Sequence, residues 1–322
     1  VNILANASIL ITGGTGAFGR AFTRFALDSG ARRVAVLSRD EVKHARIAQD
    51  IPDPRLRCFV GDVRDAARVR QAAHGVDYII HAAAMKRVDH CEADPDEAIA
   101  TNISGSQHVA HAAIAVGAKC AVFLSTDKAA APCTLYGLTK GAAERAWVQS
   151  NSYADGTGTR FVATRYGNVL DSTGSVIPLW RTQEARFGCV AITDPQATRF
   201  WMTMADAVAL VLRALTDGQG GETFVPHVGA ADLLHLKQAV APDAAYTAIG
   251  LRAGEKLHEL LIAPDEISRT QVTDSEYIIE PAAPTWTYHP PVDAQYVDPD
   301  FAFASNTTMH QLSVAQLRAM LA

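Results

Sequence analysis

The sequence predicts an α/β fold, a doubly wound parallel sheet followed by a smaller C-terminal lobe. Short β-branched runs at 8–12, 33–38, 57–61, 76–81, 119–125 and 159–165 alternate with helical stretches near 17–29, 41–50, 65–74, 96–117 and 137–151. The runs are apolar on both faces, as a parallel sheet covered by helices on each side requires. The first run passes directly into a glycine-rich turn and a helix, the arrangement that cradles a pyrophosphate. In such folds ligands gather at the carboxyl ends of the strands.

After about residue 166 the pattern loosens. Gly, Pro and Thr punctuate 167–200, a helix is expected at 205–217, another begins over 254–263, and Pro-rich stretches at 281–291 read as surface loops. Residues 1–166 are therefore expected to form the cofactor domain. Residues 167–322 are expected to form mainly a substrate lobe, with some segments returning to the first domain.

Composition excludes several classes of partner. A net charge of −5 gives no reason to expect nucleic acid or an anionic membrane surface. No apolar run reaches the roughly 18 residues of a membrane span, and a strand begins almost at once, so a cytoplasmic protein is expected. Five cysteines, odd in number and without a C-x-x-C pair, fit reduced thiols and no metal site.

The turn after the first strand reads Gly13, Gly14, Thr15, Gly16, Ala17, Phe18, Gly19. Its G-x-x-G-x-x-G spacing lets the backbone approach a dinucleotide, with helix N–H groups facing the phosphates. The second strand ends on Ser38 and Arg39, a hydroxyl and a guanidinium suited to a 2′-phosphate. NADP is thus favoured over NAD, although Asp40 next door could reach a ribose hydroxyl. Asp62 and Val63 close the third strand near the expected adenine, with a helix N-cap as the alternative role of Asp62. Ala82, Ala83 and Ala84 end the fourth strand with side chains small enough for a cofactor to lie close. His81 reads as a hydrogen-bonded core histidine, and Asn102 as an organiser of polar groups behind the site.

The chemistry concentrates in two blocks. One is Ser125, Thr126, Asp127, Lys128 at the end of the fifth strand. The other is Tyr136 and Lys140, one helical turn apart on a shared face. A neighbouring ammonium lowers a phenol pKa and makes the phenolate a base for a hydroxyl proton. Asp127 and Lys128 add a second acid/base pair that plain alcohol oxidation does not need.

Together these blocks resemble the extended short-chain dehydrogenase/reductases that act on nucleotide sugars, a Rossmann-fold family. The likeness is strongest to the configuration-inverting UDP-N-acetylglucosamine 4,6-dehydratases of the pseudaminic acid type. It is also carried by Cys91 and Glu92, Gly174 to Pro178, Thr193 to Pro195, Thr198 to Trp201, Phe224 to Pro226 and Gly254 to Glu259. The chain departs from the family pattern at Asp89, Thr134, Asp171, Ala253 and His227, several of them where the resemblance places the sugar nucleotide.

The resemblance implies that Tyr136 takes the C4 hydroxyl proton while hydride moves to NADP. Lys140 would tune the phenol and hold the ribose, and Thr126 would bond the C4 oxygen. Lys128 would remove the C5 proton and Asp127 would protonate the departing C6 hydroxyl. Lys86, Arg165, Asn168, Arg199 and Lys256 are candidates for the UDP-sugar, the charged ones having structural ion pairs as their alternative. A homo-oligomer, dimer to hexamer, is also implied. Two rivals stand: a nucleotide-sugar 4- or 5-epimerase, and a non-catalytic dinucleotide-binding sensor.

Overall fold

A computed structural model describes residues 2–172, 174–290 and 293–321. Thr173, within the departing stretch 171–174, and Pro291, the last residue of the Pro-rich stretch, lie outside the described residues. The first half lays down β1 (Ser8–Thr12), α1 (Ala17–Asp28), β2 (Arg33–Ser38), α2 (Glu41–Asp50), β3 (Leu56–Val60), α3 (Ala66–Ala73) and β4 (Tyr78–His81). It continues through α4 (Val88–Ala93), α5 (Pro95–Ile99), a π-helical turn (Ala100–Ser104), α6 (Gly105–Val116), β5 (Cys120–Leu124), α7 (Leu135–Tyr153) and β6 (Arg160–Thr164).

The second half adds β7 (Asn168–Val169), α8 (Val176–Phe187), β8 (Cys189–Ile192), β9 (Thr198–Met202), α9 (Met204–Asp217), β10 (Thr223–Pro226) and β11 (Gly229–Asp232). After these come α10 (Leu233–Val240), β12 (Ala245–Ala248), β13 (Thr270–Val272), β14 (Glu276–Ile279) and α11 (Val314–Leu321).

Nine strands form the main sheet in the order β13-β14-β10-β6-β5-β4-β1-β2-β3. From β3 through β10 the pairing is parallel, and β14 and β13 close that edge antiparallel. The strand order reverses between β1 and β4, which opens a crevice at their carboxyl ends. Alternate residues of the same strands feed two cores. Ile9, Ile11, Val34 and Val36 face one side, and Leu10, Ala35 and Leu37 face the other. That period of two explains why the strands read as continuous apolar runs. A third core, with Ile177, Trp180, Ile192, Trp201 and Leu236, holds the lobe built around β7, β9 and β11.

Two expected helices differ. The stretch 96–117 is broken into α5, the π turn and α6, and α4 precedes it. The π turn's Asn102 accepts a bond from the Met85 N–H at 2.8 Å and donates to Met85 O and Thr139 Oγ1 at 3.0 Å each. Residues 254–263 form no helix. Their backbone groups bond across the chain instead: Thr198 N–H donates to Leu257 O, Leu261 N–H to Phe303 O, and Ser305 N–H to Glu259 O. Tertiary partners override the helical pattern of that segment.

Candidate active site

The phosphate loop is built for a close approach. Gly13 has φ +65°, and a Cβ there would stand 2.8 Å from the Ala82 carbonyl oxygen. Only glycine fits that turn. Gly16 precedes α1 with no side-chain cap and no acidic residue in the first turn, so the amides there keep their affinity for an anion. Thr15 and Ser38 hydroxyls bond each other at 2.8 Å, tying the loop to the end of β2, and His44 Nε2 lies 3.0 Å from Ser38 Oγ. The donors and the open backbone of this cradle fit a dinucleotide.

Around the adenine end, roles differ from expectation. Asp65, not Asp62, caps α3 by accepting the Arg68 N–H at 3.0 Å. Asp62 accepts the Arg64 N–H and pairs with Arg64 at 2.6 Å and with Arg39 at 3.7 Å. Arg39 is exposed and also pairs with Glu97 at 3.3 Å. Asp40 caps α2 through the Lys43 N–H at 3.0 Å, which occupies one carboxylate oxygen. His81 sits among Thr12, Ser106 and Trp147 with its pKa lowered to about 3, mainly by burial and further by the Lys140 charge.

Thr126, Asp127 and Lys128 leave the carboxyl end of β5 as a single tight turn. α7 is pressed against that turn, because a Cβ on Gly137 would collide with the Lys128 carbonyl. Thr134 caps α7 by accepting the Gly137 N–H at 3.1 Å, and Glu92 accepts the Leu135 N–H at 2.7 Å. These two caps place Tyr136 beside Thr126 and Lys128. The Tyr136 phenol is pushed up to about 12 by burial, while the Lys128 charge and a hydrogen bond with Thr126 pull it down.

The expected tuning by Lys140 is not what the geometry gives. Lys140 Nζ donates to the Leu124 carbonyl at 2.6 Å, over the Phe123 ring, and burial lowers its pKa to about 7. Lys128 is the cation that acts on the phenol.

Asp127 is 1% exposed. Its Oδ1 accepts from Thr126 Oγ1 at 2.8 Å and from Lys128 Nζ at 3.2 Å, and its Oδ2 has no hydrogen-bond partner among the described residues. Glu259, 2% exposed, reaches Lys128 Nζ at 3.0 Å from the irregular segment. Burial works against the Lys128 charge, but Asp127 and Glu259 outweigh it and hold the ammonium above the usual lysine range. Glu259 had no assigned role in the sequence. Its block, Gly254 to Glu259, was legible, but a helix there gave no reason to bring it to β5.

The substrate candidates separate. Arg165 is sealed in the interior, bonded to both Glu144 and Glu266 and to the Leu261 carbonyl at 3.1 Å. This is the structural ion pair, and it removes Arg165 from the substrate set. Arg199 is buried too, with Glu255 at 2.7 Å and the Thr198 and Leu257 carbonyls on its guanidinium. Lys256 Nζ donates to the Ala130 carbonyl at 2.7 Å and lies 3.9 Å from Glu259. Asn168 lies on β7, half-buried, and burial lowers the Lys86 pKa. Of the departing residues, Asp89 pairs with Arg87 at 2.7 Å and Asp171 with Arg181 at 3.1 Å, both at the surface.

A family described as "Polysaccharide biosynthesis protein" matches residues 9–281. The chain belongs to this family. The chain is 41% identical to a UDP-N-acetylglucosamine 4,6-dehydratase (inverting) of Campylobacter jejuni, over 93% of this chain and 87% of that one. It is 36% identical to a UDP-glucose 4-epimerase of Rickettsia canadensis, over 86% and 84% of the two chains. The crystal structure of Pen from Bacillus thuringiensis superposes with a TM-score of 0.92 at 32% identity, covering 99% of this chain and 98% of that one. DesIV, a dTDP-glucose 4,6-dehydratase from Streptomyces venezuelae solved with NAD and TYD bound, gives 0.67 at 25% identity over 78% and 86%. Among the described residues no helix is long and apolar enough to cross a membrane.

Proposed function

We propose that the protein is a UDP-N-acetylglucosamine 4,6-dehydratase that inverts C5. One observation carries the reading: a buried carboxyl and an amine, Asp127 and Lys128, stand 3.2 Å apart beside the Tyr136 phenol at a strand's carboxyl end. Oxidation at C4 needs only the phenol, whereas elimination across C5 and C6 also needs a base and an acid. The similarity to the Campylobacter enzyme supports the same reading.

A nicotinamide dinucleotide bound on the glycine loop supplies the hydride acceptor at C4 and the donor at C6. Tyr136 accepts the C4 hydroxyl proton, with the Thr126 hydroxyl beside the C4 oxygen. Lys140 is assigned to the ribose. The ion pair Asp127–Lys128 becomes the working pair by shifting one proton from Nζ to the carboxylate, at no change in net charge. Lys128 as amine then takes the C5 proton, and Asp127 as acid delivers its proton to the leaving C6 oxygen. As hydride returns to C6, C5 takes a proton on the opposite face, which inverts it and balances the proton removed at C4.

NADP is the assigned dinucleotide, because the exposed Arg39 guanidinium stands at the end of β2 where a 2′-phosphate would lie. Lys86, Asn168 and Lys256 are assigned to the sugar nucleotide.

The Rickettsia relative favours a second reading, a 4-epimerase. Mass spectrometry of the product from UDP-N-acetylglucosamine separates the two. Loss of one water is expected. A product of unchanged mass would establish the epimerase, and no turnover of any nucleotide sugar would leave a dinucleotide-binding sensor.

A further inference from the structure

We infer that Glu259 is a positioning residue for the elimination step, holding Lys128 Nζ in place to take the C5 proton. This rests on the dehydratase reading above.

The geometry leaves Glu259 little else to do. Its main chain is already fixed, since Glu259 N–H donates to Ser305 Oγ at 2.9 Å and Ser305 N–H donates to Glu259 O at 2.8 Å. Ser305 is in turn held by Thr198, at 2.6 Å between hydroxyls and 3.1 Å to the carbonyl. The segment would therefore stay in place without the carboxylate. Yet the side chain is buried with Oε1 on Lys128 at 3.0 Å and Oε2 without a hydrogen-bond partner among the described residues, Lys256 standing 3.9 Å away. A buried carboxylate with one hydrogen bond is an expensive way to secure a loop.

The proton balance gives it a purpose. Once one proton has moved from Lys128 to Asp127, the amine is flanked by a neutral acid and an ionised Glu259. As the C5–H bond breaks, its electron pair forms the C5–C6 double bond and the proton goes to Lys128 Nζ. The C6–O pair leaves with the oxygen, which takes the Asp127 proton and departs as water. Lys128 is again an ammonium, Asp127 again a carboxylate, and Glu259 is unchanged. Nζ is an ammonium before and after the step, so the Glu259 charge favours both alike, and its contribution is to hold Nζ where the C5 proton is taken.

The groups facing Lys128 are Asp127 on its own turn, Tyr136 from α7, Arg199 from β9, and Glu259 with Lys256 from the irregular segment. Arg199 opposes the ammonium but is itself paired with Glu255. Glu259→Gln removes one of two stabilising charges, so Lys128 loses its proton at lower pH.

The test pairs a chemical readout with a kinetic one. Peptide mass spectrometry follows acylation of Lys128 by an amine-reactive reagent across pH in the full chain. At a given pH below the wild-type transition, E259Q is expected to label about tenfold faster, one pKa unit being a factor of ten in free amine. With cofactor and sugar nucleotide present, loss of the C5 hydrogen into solvent should slow on the order of tenfold or more. The build-up of reduced-nicotinamide absorbance should persist, because C4 oxidation does not use Glu259.

E259D keeps the charge with a shorter reach. It should label like the wild type while still losing C5 exchange, and it decides the question should E259Q fail to fold. An unchanged Lys128 labelling profile in E259Q, or wild-type C5 exchange in E259D, overturns the inference. If the wild type forms no dehydrated product, the dehydratase reading fails, while labelling still reports whether Glu259 governs the amine.

Discussion

Arg165, Lys128 and Arg39 each stand between two carboxylates, and they differ in what surrounds them. Arg165 lies deep between Glu144 and Glu266, with a carbonyl on a remaining N–H and the Ala263 N–H also bonded to Glu266. Lys128 lies between Asp127 and Glu259, two carboxylates as buried as those of Arg165, yet an oxygen of each lacks a hydrogen-bond partner and the lysine side chain is 29% exposed. Arg39 lies between Asp62 and Glu97 at the surface. The first cluster is saturated and closed, so it can only hold structure. The second keeps unmet hydrogen-bonding capacity beside a lysine that solvent can still reach, which is what a site needs if a substrate is to complete it. The guanidinium fork suits the closed cluster, and the amine, whose proton can leave, suits the open one.

The largest effect is expected at the open cluster. Lys128→Ala removes the proposed base, and general-base catalysis contributes on the order of 10²–10⁴ in rate. Dehydration should fall by about that factor, while cofactor binding followed by nicotinamide fluorescence is retained. Full dehydratase activity in this variant would sink the base assignment and, with it, the contrast between the clusters.

Arg165→Met should do the opposite. It leaves Glu144 and Glu266 buried without their cation, and breaking such a pair costs about 3–5 kcal/mol. Denaturant unfolding should show that loss. Whatever protein remains folded should keep its affinity for the sugar nucleotide, since Arg165 has no edge to offer it. A variant of native stability that binds substrate poorly would restore Arg165 to the site and collapse the distinction.

The sequence made the sheet legible because its signals are local. Strand alternation, the glycine turn and the spacing of Tyr136 and Lys140 are all read within a few residues. The turn Thr126, Asp127, Lys128 was legible for the same reason, lying at the end of a recognisable strand. What escaped depends on chain-distant partners. Glu259 meets Lys128 only because residues 257–261 bond to Thr198, Phe303 and Ser305 in place of forming a helix. Arg165 looked like a substrate ligand because Glu144 and Glu266, 21 and 101 residues away, could not be seen beside it. Lys140 occupies the expected helix face, yet its ammonium turns to Leu124, which periodicity does not report.

Arg39 should give the smallest effect and the finest test of the series. Exposed ion pairs contribute about 0–1 kcal/mol, so Arg39→Ala should leave stability within about that range. Its consequence should appear in the choice of dinucleotide. A guanidinium on a 2′-phosphate forms a charge-assisted contact of about 1.5 kcal/mol, roughly tenfold in affinity. Asp62 and Glu97 keep Arg64, at 2.6 Å and 2.5 Å, so the phosphate contact is the interaction that is lost. That loss acts on NADP and not on the NAD ribose, so titration should show NADP weakened by about tenfold with NAD nearly unmoved. Equal losses for the two would mean that Arg39 only bridges Asp62 to Glu97. The surface cluster would then resemble that of Arg165, and the ribose would be read by another group, with Asp40 the first to examine.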